Sequence, residues 1–489
     1  MTPTPEPAAT PEPAATPEPA ATPEPAADVP EWPDVAHGEP SNPARQVLRL
    51  AVPALGALIA EPLFLLADSA IVGRLGTAPL AGLGIAGAVL STAVNLFVFL
   101  AYGTTASVAR RVGAGDRSGA VEQGLDGMWL AAGLGVLTAA LGWLAAPQLA
   151  ALFGGGPEVS AQAVTYLRWS MPGLPGMLVV LAGTGVLRGL QDTRTPLAVA
   201  AAGAAVNAVL NLALVHGIPA TRVGWLPHWT GLGIAGSGLG TALTQLGMAV
   251  AFGLVVVGGA RRLGASLRPD PAGIQAFGRA GVPLLVRTLS LRVALLVTTW
   301  VATSKGSPSL AAHQVVFTIW TLLALGLDAL AIAAQALTGR ALGAADVAGV
   351  RAATALMVRW GVVGGAVVGA VVFVLRDWAG PLFSADPQVR TAIAAALVVV
   401  ALGEPLAGYV FVLDGVLIGA GDGRYLAVAG VIQVLVYAPA AWAVQAWGPG
   451  GTAGLVWLWV SFSGGYLLAR ALFLGLRARG TAWLITGAT

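Results

Sequence analysis

The chain has no cysteine and little charge. The absence of cysteine from its 489 residues excludes disulfides, thiolate metal sites and a cysteine nucleophile. Only 10% of the residues are charged, against about 25% in soluble domains, whereas 56% are hydrophobic. A soluble protein of this length could not cover so much apolar surface. The composition therefore predicts a chain that crosses a bilayer many times.

Sequence motifs of common enzymes are also missing. The four histidines are scattered, and there is no H-E-x-x-H zinc motif and no Walker A sequence. We therefore expect no enzyme, no metal site, no cofactor and no use of ATP by this chain. The net charge of +3 is modest, so no nucleic-acid partner is expected either.

A repeat runs through the chain at an offset of about 230 residues. The matched segments share Pro, Asp and Arg as well as apolar residues: Val52-Pro53 with Val282-Pro283, Arg110–Asp116 with Arg340–Asp346, and Val186–Arg194 with Val416–Arg424. Duplicated hydrophobic bundles are typical of transporters, in which two similar halves move around a site between them. An ion gradient is the energy source that we expect for such a chain.

Segments of roughly 20 or more apolar residues can span a membrane as helices. Twelve such spans are predicted, at residues 48–74, 79–106, 121–150, 160–189, 196–217, 233–258, 279–303, 308–338, 350–375, 390–419, 424–447 and 451–475. The predicted fold is an all-α polytopic membrane protein with twelve transmembrane helices in two six-helix lobes. The N-lobe covers 46–258 and the C-lobe 279–475, with a cytoplasmic linker at 259–278 and a short cytoplasmic C-terminus at 476–489.

The first 45 residues have a different composition, with four copies of the sequence TPEPAA. Frequent proline disfavours helix and sheet, so we expect a disordered, extended cytoplasmic tail. A recruitment or spacer segment is the alternative interpretation.

The distribution of basic residues predicts the orientation. Seventeen Lys and Arg residues fall on the side of the N-terminus, six on the other side and three within spans. By the positive-inside rule both termini are cytoplasmic, and we expect a multi-pass protein of the cell membrane. Six spans per lobe give both lobes the same orientation.

Acids inside the spans are candidate functional residues, because such charges are costly in a bilayer. Glu61 and Asp68 are seven residues apart, on one helix face. In the repeat, Asp68 of the first half corresponds to Thr298 of the second half, so this charge is not duplicated. Asp68 and Glu61 are therefore candidates for a protonatable ion or substrate site, with interhelical hydrogen bonding as the alternative. The loop acids are duplicated, Asp116 with Asp346 and Asp192 with Asp422, which indicates a structural role.

Two further sets of polar residues lie within the spans. Asn207 and Asn211 share one face of span 5 and either join helices or line the N-lobe cavity. Arg292 and Asp328 lie at similar predicted depth, which favours an intramembrane ion pair, with Arg287 as the other candidate partner. Such a pair is either architectural, a conformational latch or a proton-sensitive element.

Four segments resemble the multidrug and toxic compound extrusion family, and more closely its DinF-like branch. They are PLFLLADSAIVGRLG at Pro62–Gly76, ARRVGAGD at Ala109–Asp116, VLRGLQDTRTP at Val186–Pro196 and LDALAIAAQALTGRALGAAD at Leu327–Asp346. Their order and spacing carry the resemblance, which covers roughly residues 46–475.

The resemblance implies two lobes around a V-shaped cleft and the export of amphipathic, often cationic compounds in exchange for H⁺ or Na⁺. It identifies Asp68 as the acid of the first helix and Asn207 and Asn211 as polar residues near it. Some relatives carry an acid where this chain has Asn211, which favours H⁺ as the coupling ion here. The expected partners are small amphipathic substrates and membrane lipid, and the expected state is a monomer.

Two other functions remain open at this stage. One is a flippase for a lipid-linked precursor, since the wider superfamily includes such proteins. More than twelve spans and a cavity dominated by cations would favour a flippase, whereas this sequence predicts twelve spans and both acids and arginines within them. A non-transporting membrane sensor or scaffold is the alternative from another class. The duplicated bundles and the unduplicated acids argue against that reading.

Overall fold

The computed structural model describes residues 43–218 and 229–488. Residues 1–42 of the predicted tail lie outside this part. Twelve helices within it are long and apolar enough to cross a membrane, as predicted. They are α1 Pro43–Leu75, α2 Thr77–Gly113, α3 Arg117–Ala151, α4 Gly156–Gly189, α5 Arg194–His216, α6 Ile234–Arg262, α7 Pro271–Thr303, α8 Ser307–Gly343, α9 Val347–Phe383, α10 Pro387–Gly419, α11 Gly423–Trp447 and α12 Gly451–Arg479.

Three helices change pitch along their length. Helix α2 is interrupted between Thr77–Leu96 and Phe99–Gly113, and α4 tightens into a 3₁₀ turn at Met171–Gly173. Helix α12 widens into a π-helical turn at Phe462–Leu467. A short antiparallel hairpin, β1 Gly217–Ile218 with β2 Trp229–Thr230, connects α5 and α6.

One of the two duplicated pairs of loop acids, Asp116 and Asp346, caps helices, which supports its structural interpretation. The carboxylate of Asp116 accepts a hydrogen bond from the backbone N–H of Gly119 at 2.8 Å at the start of α3. Asp346 accepts the same bond from Gly349 at 2.8 Å at the start of α9. Each cap satisfies a backbone donor that would otherwise lack a partner. These caps extend α3 and α9 a few residues beyond their predicted starts.

The connection between the lobes is shorter than the predicted 259–278, because both flanking helices extend into it. Asp270 caps α7 by accepting from the N–H groups of Ala272 and Gly273, both at 3.0 Å, and Pro271 begins the helix. The backbone N–H of Asp270 donates to Asp126 of α3 at 3.0 Å. The connection is thus held against the N-lobe rather than being a free linker.

Each lobe packs around its own apolar core. The N-lobe core includes Tyr166, Leu167 and Met171. The C-lobe core is rich in aromatic rings: Trp320, Tyr437, Trp459, Phe462 and Tyr466. Many large apolar side chains on the outer helix faces are exposed, such as Leu66 and Trp378. Faces of this kind are suited to contact with lipid.

The two lobes meet closely where α2 and α8 end, on the predicted cytoplasmic side. A Cβ atom added to Gly113 would collide with the carbonyl oxygen of Arg340, and one added to Gly343 would collide with that of Arg110. The two contacts are equivalent, as expected for two lobes related by an approximate two-fold axis. Only glycine permits the backbones to approach this closely.

The C-terminal segment 480–488 packs across this junction. Its Gly487 accepts a hydrogen bond from Nε of Arg110 at 3.3 Å and donates its N–H to the carbonyl of Leu342 at 3.1 Å. Trp483 is buried within the same segment. The predicted C-terminus at 476–489 therefore contacts both lobes instead of trailing from α12.

Candidate functional site

Asp68 on α1 is a buried acid whose carboxylate accepts three side-chain hydrogen bonds. Its Oδ1 atom accepts from Asn211 Nδ2 at 2.9 Å and from the hydroxyl of Ser237. Its Oδ2 atom accepts from the hydroxyl of Tyr166 at 3.1 Å. Asp68 itself is 1% exposed. Three helices, α4, α5 and α6, thus direct donors at one carboxylate inside the N-lobe.

A second layer of polar groups surrounds this carboxylate. Asn211 Nδ2 also donates to Asn207 Oδ1 at 3.1 Å, and the hydroxyls of Tyr166 and Thr241 lie 3.2 Å apart. Within the described residues, Oδ1 of Asn211 and Nδ2 of Asn207 have no hydrogen-bond partner. Buried polar atoms without partners are rare in proteins and often indicate a missing ligand, ion or water.

The close packing of α6 against α5 brings the hydroxyl residues of α6 near the side-chain amide of Asn211. A Cβ atom at Gly240 would collide with Oδ1 of Asn211. Glycine at this position therefore lets α6 approach the amide face of α5. Ser237 and Thr241 lie four residues apart on that same face of α6.

The structure brings Asp68, Asn207 and Asn211 together but leaves Glu61 apart. Glu61 is exposed, whereas Asp68 is buried. Seven residues separate the two acids by about 10 Å along the helix axis. Their roles in ion or substrate binding stay predictions, and Glu61 is outside the hydrogen-bonded cluster.

Sequence analysis missed Tyr166, Ser237 and Thr241. The spacing of Ser237 and Thr241 on a glycine-rich helix face was a usable signal for two of them. Tyr166 gave no such signal, since single tyrosines are common in helices. Its contact with Asp68 depends on the packing of α4 against α1 and α6.

This arrangement can bind a proton or a small cation. A carboxylate, two amide oxygens and three hydroxyls supply only oxygen ligands, which suit H⁺ or Na⁺ rather than a soft metal. No group of three or more His, Cys, Asp or Glu residues with metal-binding geometry occurs among residues 43–218 and 229–488.

A second buried cluster lies in the C-lobe, around Asp414 of α10. Its carboxylate forms ion pairs with Arg287 of α7 and with Nη2 of Arg470 of α12, the latter at 2.9 Å. The guanidinium of Arg287 also lies 5.8 Å from the ring centroid of Tyr102, an N-lobe residue. The cluster therefore reaches the boundary between the lobes.

The ion pair predicted between Arg292 and Asp328 is not formed in the structure. Arg292 is exposed, and no acid in the described part of the chain lies within ion-pair distance of it. Arg287 and Arg292 are five residues apart, so they point about 140° away from each other around the helix. Arg287 faces inward and pairs with Asp414 instead. Equal depth in the membrane is thus insufficient for pairing.

Asp328 instead shares a region with arginines from both lobes. Besides its burial, the carboxylate of Asp328 is influenced by the charges of Arg188 and Arg287 rather than by that of Arg292. Arg188 was counted with the cytoplasmic residues in the sequence, but it is 8% exposed and its charge acts on Asp328 and Tyr102. Arginines in the last turn of a helix are usually exposed, so the sequence did not indicate that Arg188 is buried.

The chain is similar to known proteins over most of its length. The family model MatE matches residues 53–213 and 283–443, once in each lobe. The chain is 30% identical over 444 residues to the probable multidrug resistance protein NorM of Pseudomonas putida, covering 86% of this chain and 92% of that protein. It is 29% identical over 459 residues to Protein DETOXIFICATION 44, chloroplastic, of Arabidopsis thaliana, covering 90% of this chain and 81% of that protein.

Solved structures share the fold. A MATE protein in the straight conformation matches with a TM-score of 0.77 at 22% identity, covering 90% of this chain and 96% of that one. A MOP superfamily transporter from Pyrococcus furiosus, described as having a binding pocket of reverse polarity, matches with a TM-score of 0.78 at 22% identity over 90% of this chain and 95% of that one.

Proposed function

Because this chain belongs to the multidrug and toxic compound extrusion family, as its motifs predicted, we propose that it is a secondary active antiporter that exports amphipathic compounds. It is a multi-pass membrane protein with twelve spanning helices. The observation that carries the antiport proposal is Asp68, a buried carboxylate that receives three side-chain donors inside one lobe. One relative, NorM of Pseudomonas putida, is a probable multidrug resistance protein by name, which supports the export of small molecules.

In the proposed cycle, the charge of Asp68 controls the shape of the N-lobe. The ionised carboxylate accepts bonds from α4, α5 and α6, which holds these helices against α1. Binding of a cation at Asp68 changes the acceptors available to Tyr166, Asn211 and Ser237, so the four helices repack. A ligand that binds one arrangement better shifts the population toward it. Substrate release and cation entry are coupled in this way.

We favour H⁺ as the coupling cation. The site has a single carboxylate, and both of its oxygens already accept hydrogen bonds. A proton needs one oxygen, whereas Na⁺ needs several oxygens directed at one point. The free Oδ1 atom of Asn211 is the group that would favour Na⁺, and a sodium gradient is therefore the alternative to be tested.

The proposed location is the cell membrane, with both termini in the cytoplasm, as the distribution of basic residues predicts. In that orientation the close contacts of Gly113 with Arg340 and of Gly343 with Arg110 close the cytoplasmic side. These contacts support an outward-facing arrangement.

The test is transport by the purified protein in liposomes. A pH gradient or a Na⁺ gradient is imposed, and the movement of a fluorescent amphipathic cation is followed. We expect exchange driven by the pH gradient and its loss in Asp68→Asn, because Asn cannot alternate between charge states. Asp377→Asn, at an exposed acid outside the cluster, is the matched control. Undiminished exchange by folded Asp68→Asn would remove Asp68 from the mechanism.

A further inference from the structure

Arg110 and Arg340 are equivalent in the repeat, but they join the lobes differently. Within the described residues, Arg340 of the C-lobe makes one side-chain hydrogen bond, to Oε1 of Gln191 in the N-lobe. The guanidinium of Arg110 in the N-lobe donates to three carbonyl oxygens, those of Ala420 at 2.8 Å, Gly487 at 3.3 Å and Ile485. Two of these three acceptors belong to the C-terminal segment 480–488, which therefore strengthens one side of the junction.

The C-terminal segment has a defined conformation before it reaches the junction. Trp483 is buried, and its indole N–H donates to the carbonyls of Ala478 and Gly480, both at 3.2 Å. The N–H of Leu484 donates to the carbonyl of Thr481 at 2.9 Å and closes a turn. The segment thus folds back on the end of α12 and is held there by a large apolar ring.

Gly487 is the residue of the segment that contacts both lobes. Its carbonyl accepts from Arg110 of α2, and its N–H donates to the carbonyl of Leu342, near the end of α8, at 3.1 Å. The φ angle of Gly487 is 97°, which residues with a side chain rarely adopt. Glycine at this position therefore lets the backbone bind both lobes at once.

The segment that follows α6 at the end of the N-lobe is bound differently. The backbone N–H of Ser266 donates to Glu122 at 2.8 Å, and that of Asp270 donates to Asp126 at 3.0 Å. Both acceptors lie on α3, in the same lobe as α6. Hydrogen bonding of the segment after the sixth helix of a lobe to the opposite lobe is thus a feature of the C-lobe alone.

Separation of the lobes at this junction must break the contacts of the C-terminal segment. The segment is continuous with α12 of the C-lobe, whereas Arg110 belongs to α2 of the N-lobe. When the ends of α2 and α8 move apart, either Arg110 leaves Ile485 and Gly487 or the segment leaves Leu342. Hydrogen bonds from a guanidinium are charge-assisted and stronger than those between neutral groups. Their loss on opening favours the closed arrangement.

We propose that the C-terminal segment is a conformational clamp: it stabilises the closed junction between α2 and α8 and is released when the lobes separate there. This inference rests on the proposed antiport function, because a transporter with two lobes must open this side during its cycle. The clamp sets how often that opening occurs.

Spin-label distances across the junction test the proposal, and the absence of native cysteine makes the labelling specific. Arg194→Cys and Arg424→Cys place one label in each lobe, at exposed and repeat-equivalent positions at the starts of α5 and α11. Double electron–electron resonance of the protein in lipid nanodiscs gives the ratio of open to closed molecules. We expect removal of residues 480–489 to raise this ratio at least about tenfold, the effect of one charge-assisted hydrogen bond.

Gly487→Pro tests the same contacts in the full-length chain. Proline has no N–H to donate to Leu342 and cannot adopt a φ of 97°, so the ratio should rise at least about threefold. Gly480→Ala is the control, because its φ of −75° suits alanine, and should leave the ratio unchanged. Melting curves establish that each variant is folded. Should the shortened chain fail to fold, Gly487→Pro decides the question.

Arg110→Lys identifies the partner of the segment. Lysine keeps the charge but lacks the planar fork with which arginine binds several carbonyls. In this variant, removal of residues 480–489 should change the ratio by about threefold or less, whereas in Arg340→Lys it should keep its full effect. An unchanged ratio in the folded shortened chain or in Gly487→Pro overturns the proposal. So do additive effects of Arg110→Lys and the removal of the segment.

The distance measurement separates this proposal from the transport function. If neither gradient drives exchange but the ratio depends on the segment, the antiport proposal fails and the clamp stands. If exchange is normal and the ratio does not depend on the segment, only the clamp fails.

Discussion

The two lobes share a backbone plan but differ at the positions that matter for charge. At the repeat offset, Asp68 and Asn207 of the N-lobe correspond to Thr298 and Tyr437 of the C-lobe. Asp68 gathers donors from three helices, whereas the hydroxyls of Thr298 and Tyr437 simply bond each other at 2.7 Å. Tyr437 also packs against Phe462 and Tyr466.

The two equivalent positions therefore differ in kind. The N-lobe has a buried carboxyl group at this position, whereas the C-lobe has a hydroxyl beside an aromatic core. The C-lobe charges lie elsewhere, around Asp414 and Asp328, whose repeat counterparts Thr184 and Val98 are uncharged. The two lobes thus share helices and the Asp116 and Asp346 caps but differ in their buried polar residues.

Placing an acid at the C-lobe position that corresponds to Asp68 should have the largest effect on stability. In Thr298→Asp a carboxylate enters the aromatic core with one hydroxyl as its partner, and burial of such a charge costs several kcal/mol. We expect little folded protein or a strongly lowered Tm. Thr298→Val, which only loses the hydrogen bond, should cost about 1 kcal/mol. A Thr298→Asp variant that melts like the wild type would show that the C-lobe core tolerates charge.

Neutralising the C-lobe acid should have the next largest effect. Asp414→Asn leaves Arg287 and Arg470 without their common partner, which costs about 3–5 kcal/mol in comparable buried pairs. Asp422→Asn is the control, because its partner Arg477 is partly exposed and the loss should be about 1 kcal/mol or less. The melting temperatures of the two variants, measured in the same detergent, show which variant loses more stability. Equal losses would mean that burial adds nothing to the Asp414 cluster.

A matched tyrosine pair separates stability from transport. Tyr166→Phe removes the buried hydrogen bonds to Asp68 and Thr241, and Tyr437→Phe removes the one to Thr298, so each should cost roughly 1–2 kcal/mol of stability. Only Tyr166→Phe should slow exchange driven by the pH gradient, by about tenfold, since only Tyr166 contacts Asp68. Similar exchange rates in the two variants would contradict the assignment of coupling to the N-lobe.

The smallest effect concerns the backbone of the repeated loops. Gly115 and Ala345 are equivalent, and both have a positive φ, of 85° and 57°. A non-glycine residue is strained in this region. Ala345→Gly should therefore raise stability by about 0.5 kcal/mol, and Gly115→Ala should lower it by about 1 kcal/mol. Differential scanning fluorimetry can compare both with the wild type, and a lower Tm for Ala345→Gly would refute the strain argument.

Sequence reasoning predicted the twelve helices because membrane spans depend on local composition. Long apolar runs and clusters of Gly and Pro are sufficient to locate them. The helix ends were less accurate, since capping residues such as Asp270 extend a helix into what composition alone assigns to a loop. The duplicated acids Asp116 and Asp346 were correctly interpreted for a similar reason, because a cap is a local feature.

The polar clusters were only partly predictable. The shared helix face of Asn207 and Asn211 was visible in their spacing. The pairing of Arg287 with Asp414 was missed, because depth along a span says nothing of the direction in which a side chain points. Arg188 was counted with the cytoplasmic residues because it lies at the end of the predicted span 160–189. Such contacts depend on how helices that are distant in sequence pack together. The residue pattern of one sequence does not predict that packing.

The contacts of the C-terminal segment have a consequence for biosynthesis. Arg110 lies early in the chain, yet Gly487, Ile485 and Ala420 supply the carbonyls that it binds. Because a ribosome releases residues in order, Arg110 of α2 is made long before two of these partners exist. The junction between the lobes is therefore completed only after residues 485–487 have been synthesised. Until then, the guanidinium of Arg110 lacks two of its three carbonyl partners.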